Sequence, residues 1–282
     1  MATRLRVVHQ SACPEIGPIC EVRREPPHLH DQVLWVSEVR GLIDYGLSDE
    51  WGLELQVPVR WTYTTIEYQT LDGAVFVPDY ETIHHRNETL FGLGDPWLRL
   101  RRSWRVQGAL LSFKGGLSIP IGRTEPDPFA LGEAGRVHQH LQFGTGTFDP
   151  VLGLDLSLPF GRLQLDAYAQ TQLVVYANQH QYQAGHRAAV GLQVGLRFLE
   201  DGLAFGTIDA IHEEAERWSG VVQQDGNLGR TDLLLGAGLG YRFGFGLLSA
   251  SLKTPVYQRI IQVGDEPGQL TYPWLLNLSV RR

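Results

Sequence analysis

One long β-hairpin, Phe148 to Tyr176, constrains the fold of this chain more than any other stretch. In its first arm, apolar residues occupy every second position: Leu152, Leu154, Leu156, Leu158 and Phe160. After Gly161-Arg162 the second arm keeps the same phase, and both arms run past ten residues. A period of two residues is typical of a strand with one apolar and one polar face. Soluble strands usually end near ~5 to 6 residues, whereas a strand that crosses a bilayer at a tilt needs about this length. The hairpin therefore predicts an all-β, transmembrane antiparallel β-barrel.

The same alternation recurs along the rest of the chain. It is clearest from Trp51 to Tyr63, where aliphatic residues alternate with polar ones and aromatic residues stand at both ends, as in the girdles at the two membrane interfaces. A soluble β-sandwich with aromatic rims is the alternative, and it would need shorter strands. Together with Arg4 to His9, the repeats predict about twelve strands in a single domain, 1–282. The segment after Leu203 has two competing apolar phases, so we expect a bulge there.

The connections fall into two classes, short turns at one end of the strands and long polar loops at the other. The predicted long loops lie near 11–31, 71–94, 123–147, 178–187, 219–230 and 262–270. Bacterial outer-membrane barrels have short periplasmic turns and long external loops, so this sorting predicts an outer-membrane location with those six segments outside. No apolar run reaches the ~18 residues of a membrane helix. The chain opens on Met1-Ala2-Thr3 without a secretory signal, and we interpret it as a mature form; a cytoplasmic protein is the alternative.

The composition argues against a nucleic-acid partner. The chain carries 24 Lys and Arg against 31 Asp and Glu, a formal net charge of −7, and it has no basic tract. The predicted partners are outer-membrane lipid and a small-molecule solute. A structural barrel that scaffolds an envelope protein is a further alternative.

Cys13 and Cys20 are the only cysteines. In an oxidising envelope, two closely spaced cysteines predict a small disulfide loop. Two ligands of a metal site are the other interpretation, but no further cysteine supports it.

Histidines are concentrated in the predicted external loops. They are His28, His30, His84, His85, His138, His140, His180 and His186. Imidazole is a common ligand of Cu and Zn, so a metal-binding rim is a hypothesis for these residues. The alternative is that they bond neighbouring loops, and the primary prediction is a protein without a cofactor.

Most charged residues inside the predicted strands share one face, with Arg102 as an exception. They are Glu38, Arg40, Asp44, Glu54, Arg60, Arg99, Arg101, Arg105, Lys114, Asp155, Asp166, Arg197, Asp232, Arg242 and Lys253. An Arg or Lys that faces lipid at the midplane costs about 2 to 4 kcal/mol, so these residues are predicted to line the lumen. Arg99, Arg101 and Arg105 indicate either a positive ladder that selects anions or a set of salt bridges that stabilises the wall. Both hypotheses are open at this stage.

Several short motifs resemble a known family. They are Gly92-Leu93-Gly94-Asp95-Pro96, Phe143 to Pro150, Ile119-Pro120-Ile121-Gly122 and Leu158-Pro159-Phe160-Gly161. With these motifs, the chain from roughly Asp44 to its C-terminus resembles the outer-membrane barrels grouped with phenol meta-pathway transporters. The resemblance implies passage of small, often hydrophobic molecules.

Motifs that would indicate catalysis are weak. Gly236 to Gly240 has the glycine spacing of a phosphate loop, but it lies inside an alternating strand and opens no helix. We therefore predict a channel that passes a small, hydrophobic or anionic solute by diffusion, with no catalytic residues and no enzyme activity. The metal-binding and scaffolding barrels are the competing functions.

Overall fold

A computed structural model describes residues 2–11, 28–77, 82–83, 86–223, 226–244, 246–260 and 271–281 of the chain. Strands make up most of these residues. The strands are β1 (Ala2–Ser11), β2 (His28–Gly46), β3 (Trp51–Thr70), β4 (Val75–Phe76), β5 (Glu88–Leu93), β6 (Trp97–Val106), β7 (Ala109–Ser118), β8 (Pro150–Phe160), β9 (Leu163–Gln172), β10 (Tyr182–Gln183), β11 (Arg187–Phe198), β12 (Gly202–Glu213), β13 (Arg217–Trp218), β14 (Arg230–Phe243), β15 (Gly246–Ile260) and β16 (Leu275–Arg281). The one helix in the described part, α1 (Pro128–Glu133), lies between β7 and β8. No described helix has the length and apolar character that a membrane span requires.

The main sheet contains 14 antiparallel strands, of which β4 and β5 pair only with β3 and the other twelve follow one another around the molecule. β2 pairs with both β1 and β3, and β1 meets β16 where Ala2 lies opposite Leu276, so the pairings run in a complete circuit. The predicted all-β barrel of about twelve antiparallel strands is confirmed. β10 and β13 form a separate two-stranded sheet among the loops.

The two faces of the wall differ as the alternation predicts. In β3 the exposed side chains include Trp51, Leu53, Trp61 and Tyr63. The alternate residues Gly52, Glu54, Thr62 and Thr64 are buried. Trp51 and Trp61 are separated by about 33 Å along the strand, which a tilt of ~40° reduces to about 25 Å. This is the height of the apolar band of an outer-membrane barrel, so the aromatic ends of β3 match its two interfaces.

The predicted loop 71–94 contains two strands, which the sequence analysis did not anticipate. Only the first part of β3, Trp51 to Gln56, pairs with β6. The same edge of β3 continues toward the long-loop end, where Val59 to Thr64 pair with β5. The polar start of β5, Glu88-Thr89, does not have the alternation of a membrane strand. Hydrogen bonding to the long edge of β3 therefore determines its conformation.

The bulge expected after Leu203 is absent, because β12 keeps one register with both β11 and β14. Ala204 and Gly206 lie on the outward face, and the larger Leu203 and Phe205 lie on the inward face. The register shift occurs instead in β15, where Pro255 and Tyr257 pair with consecutive residues of β14. A proline cannot donate a ladder hydrogen bond, which is why bulges tolerate it.

Candidate functional site: the barrel interior

The fifteen charged residues predicted for the lumen all lie on strand positions opposite to the exposed apolar side chains. They therefore point inward. Most are paired with one another or with other inward groups, and these pairings divide the interior into separate clusters.

Glu54 is the centre of the first cluster. Glu54 is 2 % exposed, and it pairs with Arg99, which lies directly opposite on β6. Lys114 Nζ lies 3.1 Å from Glu54 Oε2 and 2.9 Å from Asp155 Oδ2, so it links β3 to β8. One carboxylate thus neutralises charges from two neighbouring strands.

The arginine ladder is largely compensated by this pairing. Arg99 is bound to Glu54, and Arg101 Nη2 lies 3.0 Å from Asp44 Oδ1 on β2. Arg105 is exposed near the short-turn end and has no ion pair within the described residues. The carboxylate partners come from adjacent parts of the wall and not from across the lumen.

Glu38 forms a second cluster, which binds a loop to the wall. It accepts hydrogen bonds from Arg60 Nε at 2.7 Å and from Arg40 Nε at 3.0 Å. Arg60 Nη1 then donates to the carbonyl oxygen of Phe143 at 2.7 Å. The Glu38 cluster therefore holds the loop between β7 and β8 inside the barrel.

Asp209 is the centre of a third cluster, and sequence reasoning missed it. Tyr168 of β9 donates a hydrogen bond of 2.8 Å to Asp209 Oδ1, and Lys253 of β15 donates one of 2.6 Å to Oδ2. Each long side chain crosses a glycine of the intervening strand, Gly191 or Gly236. Thr207 and Asp209 are polar residues two positions apart in β12, which indicates that both face inward. The apolar residues Leu203 and Phe205 share that face, so the sequence pattern did not identify Asp209.

A largely buried segment, Phe143 to Asp149, leads into β8 at the long-loop end, and we call it the plug segment. Asp149 is 0 % exposed and accepts hydrogen bonds from Thr147 Oγ1 at 2.6 Å and Gln172 Nε2 at 2.8 Å. Asp95, just before β6, accepts from the backbone nitrogen and hydroxyl of Thr145. These bonds attach the plug segment to the residue that precedes β6 and to the end of β9.

The neighbouring loops form an apolar cluster above the plug segment, and we call it the cap. Trp218 is 1 % exposed and packs against Tyr182, with ring centroids 4.8 Å apart, and against Phe129 at 6.3 Å. Asp127 caps α1 by accepting from Phe129 N at 2.9 Å, which fixes the position of the Phe129 ring. Three separate connections therefore share one small core.

Glu216 is buried beneath this core. Burial raises the pKa of its carboxyl, and the nearby Glu213 carboxylate acts in the same direction, although donors from Asn227 N and Trp218 Nε1, both at 3.2 Å, oppose the shift. Burial also raises the pKa of the Tyr182 hydroxyl far above its ordinary range. The cap therefore contains an acid whose neutral form is favoured by folding.

The short-turn end of the interior contains a cavity of about 450 Å³, which we call the vestibule. Arg197, Arg242 and Arg281 line it together with Leu203 and Leu247. Its acidic residues are Asp166, Glu200 and Asp201. Ser157 Oγ and Gln164 Nε2 donate to Asp166 at 2.7 and 2.9 Å, and Arg197 Nη2 donates to Gln164 at 3.0 Å. Arg242 and Arg281 have no carboxylate within ion-pair distance in the described residues.

Asp232 lies away from the vestibule, toward the long-loop end of β14. It forms an ion pair of 2.8 Å with Arg230 and accepts a hydrogen bond of 2.7 Å from the Tyr272 hydroxyl. Asp232 is therefore neutralised by Arg230 and does not line the vestibule.

The structure tests the histidine hypothesis only in part. The rings of His138 and His140 lie 5.2 Å apart, but His186 Nδ1 accepts from Val174 N at 3.0 Å and His180 lies on a different loop. Among the described residues, no three His, Cys, Asp or Glu side chains are grouped as a metal site. His84, His85, Cys13 and Cys20 lie outside the described residues, as do the side chains of His28 and His30.

Several solved structures of outer-membrane proteins are similar to this chain. The chain superposes on an outer membrane channel from Pseudomonas putida F1 with a TM-score of 0.57 and 13% identity, over 98% of this chain and 93% of that one. A FadL homologue from Pseudomonas aeruginosa matches with a TM-score of 0.42 and 11% identity, over 98% and 86% of the two chains. OmpT, an outer membrane protein of Vibrio cholerae, matches with a TM-score of 0.39 and 8% identity, over 93% and 92%.

No family model matches the sequence. No curated protein matches it either. The likeness to the Pseudomonas putida channel concerns the fold, which is that of an outer-membrane β-barrel.

Proposed function

We propose that this chain is a channel of the bacterial outer membrane that passes a small organic anion by diffusion. The vestibule supports this most directly, because it gathers three guanidinium groups inside a barrel whose other predicted inward charges, apart from Arg105 and Asp166, form ion pairs elsewhere in the wall. Its volume of about 450 Å³ lies within the usual range of small-molecule sites.

The solute class follows from which vestibule groups are available. The neutral donors on Asp166 satisfy that carboxylate, and Glu200 and Asp201 stand on or beside the turn that joins β11 to β12. Arg242 and Arg281 remain to bind a carboxylate or similar group, since guanidinium is suited to paired oxygens. Leu203 and Leu247 would contact an apolar body. A small anion with a hydrophobic part also agrees with the resemblance to phenol meta-pathway transporters.

Reversal potentials in planar bilayers test this proposal. Under a KCl gradient the refolded protein should conduct with a preference for anions, and Arg242→Glu should shift the reversal potential toward cations. Arg101→Glu is the matched control: it reverses a charge that Asp44 compensates, so it should reduce stability and leave selectivity unchanged. Absence of conductance in all three proteins, or equal shifts in both variants, would contradict the proposal.

A further inference from the structure

Arg102 is the charged residue of β6 that points away from the lumen. It belongs to the same outward row as Leu98 and Leu100, whose side chains are exposed, whereas Arg101 belongs to the inward row. In the strand register it stands directly opposite Trp51, at the short-turn end of the apolar band. Tryptophan at such a level marks the boundary between hydrocarbon and head groups. Arg102 therefore presents a positive charge to the lipid head groups of that leaflet.

Two indole rings fix the Arg102 guanidinium in place. Its Cζ lies 5.1 Å from the ring centroid of Trp51 and 5.0 Å from that of Trp104, the next outward residue of β6 toward the turn. Both distances are within the range of a cation–π contact, so the rings hold the charge at the surface of the wall. A ligand that binds this guanidinium therefore loses little affinity to side-chain ordering.

The donors of Arg102 are incompletely used within the described residues. Nε is buried and has no hydrogen-bond partner there. The remaining polar contact is with Glu50, whose Oε2 lies 3.5 Å from Nη2, and the two side chains are 43 % and 55 % exposed. An N–H···O distance between charged groups is normally ~2.7 to 2.9 Å, so this pair is loose. A guanidinium and a carboxylate thus stand side by side at the membrane surface, and each can take a further partner.

We propose that Arg102 and Glu50 bind the phosphoethanolamine head group of a phospholipid in the leaflet at the short-turn end. A guanidinium matches two oxygens of a phosphate, and Arg102 offers its terminal nitrogens. The ammonium of the head group carries N–H donors like that of lysine, and the Glu50 carboxylate accepts from them. The two charges of this zwitterion are close together, so neighbouring groups of opposite sign complement it.

The wall beside this pair accommodates the rest of a lipid. Leu53 and Leu100 lie one outward step further toward the middle of the apolar band, and Phe113 lies beside Arg102 on β7. All three apolar side chains are exposed on the lipid side. Acyl chains attached to a phosphate at Arg102 would cover them, and the burial of this apolar area favours a lipid over a dissolved anion. The occupant is therefore a membrane lipid and not free phosphate.

Native mass spectrometry of the refolded protein in a nonionic detergent tests this site. The protein is titrated separately with dioleoyl phosphatidylethanolamine, phosphatidylglycerol and phosphatidylcholine, and the fraction that retains one lipid is measured. Phosphatidylethanolamine should be retained most, because the glycerol head group has no ammonium and choline has no N–H to donate to Glu50. Arg102→Gln should lower this retention by about tenfold or more, since a charge-assisted contact is lost. Glu50→Gln should remove the preference over phosphatidylcholine.

Arg105→Gln is the matched control, because it removes the same charge from the inward face of β6 and should retain lipid like the parent chain. Glu50→Gln leaves the arginine in place, so it tests the site even if Arg102→Gln does not fold. Equal retention in Arg102→Gln and the parent, an unchanged preference in Glu50→Gln, or tighter retention of phosphatidylglycerol by the parent would overturn the proposal. Displacement of the lipid by an equal concentration of glycerophosphoethanolamine would also overturn it, because the site would then bind soluble anions. These measurements do not depend on conductance, so they are independent of the proposed channel function.

Discussion

The ring of Tyr168 lies over Gly191, so close that a Cβ atom on Gly191 would stand 2.2 Å from Tyr168 Cε1. Tyr168 and Gly191 are paired residues of β9 and β11, and the ring crosses the glycine to reach Asp209 on the next strand. Lys253 crosses Gly236 to reach the same carboxylate from the other side. Two missing side chains thus let two long ones converge on one buried acid.

Gly191→Ala should therefore destabilise the barrel by about 1 to 3 kcal/mol, because the new methyl group displaces the ring and breaks its hydrogen bond to Asp209. Gly206→Ala is the control, since the nearest atom to its added methyl is 3.8 Å away. Urea unfolding in liposomes measures both. Equal midpoints for the two variants would contradict the role of the Tyr168 and Gly191 contact.

Glu54→Gln should cost about 3 to 5 kcal/mol of unfolding free energy, because it leaves the buried Arg99 guanidinium without a counter-charge. Asp155→Asn removes the other partner of Lys114, but the Asp155 side chain is 43 % exposed, so the loss should be about 1 kcal/mol or less. If the two variants unfolded at the same urea concentration, the pairing at Glu54 would not support the wall.

The direction of the β8 side chains can be tested with arginine. Leu154→Arg places a charge in the lipid-facing row and should destabilise folding into bilayers by about 2 to 4 kcal/mol. Gln170→Arg, on the inward face of β9, should cost much less because its charge faces the lumen. A larger loss for Gln170→Arg would mean that the two faces of the hairpin are reversed.

The cap should loosen as the pH rises. Burial raises the pKa of Glu216 above 4.5, so the folded cap binds a proton more tightly than the unfolded chain. This contribution to stability is complete below the pKa of the unfolded chain and is lost as the pH rises through the higher folded pKa. Hydrogen exchange at the Trp218 amide should therefore accelerate from about pH 4.5 upward.

Glu216→Gln provides the control for the cap. The amide side chain can still accept from Trp218 Nε1 but does not ionise, so exchange should lose this pH dependence after correction for the intrinsic rate. Glu214→Gln, at an exposed position, should behave like the parent chain. An identical pH profile in Glu216→Gln and the parent would exclude Glu216 as the responsible group.

Epitope insertion tests the predicted orientation. A tag within α1, between Pro128 and Glu133, should bind antibody on intact cells, whereas a tag at Gln107-Gly108 should bind only after the outer membrane is permeabilised. The opposite pattern would place the long loops in the periplasm.

The sequence by itself determined the long strands with a clear alternation and the faces of those strands. The alternation of Leu152 to Phe160 and the Gly161-Arg162 turn predicted β8, its hairpin and the outward side, because the period depends only on what lies on each side of the strand. The lipid on the outside favours apolar side chains and the polar interior favours polar ones, and this preference applies at each position of the strand independently. A single strand therefore carries enough information to orient itself.

Only the tertiary structure decided which inward groups meet. Arg99 pairs with Glu54 because β6 lies beside β3 in one register, and the periodicity of neither strand contains that register. Asp209 has two partners because glycines stand at the crossing points on β11 and β14, and Leu203 and Phe205 face inward although they are apolar. Such relations depend on the order and offset of strands that are distant in the chain.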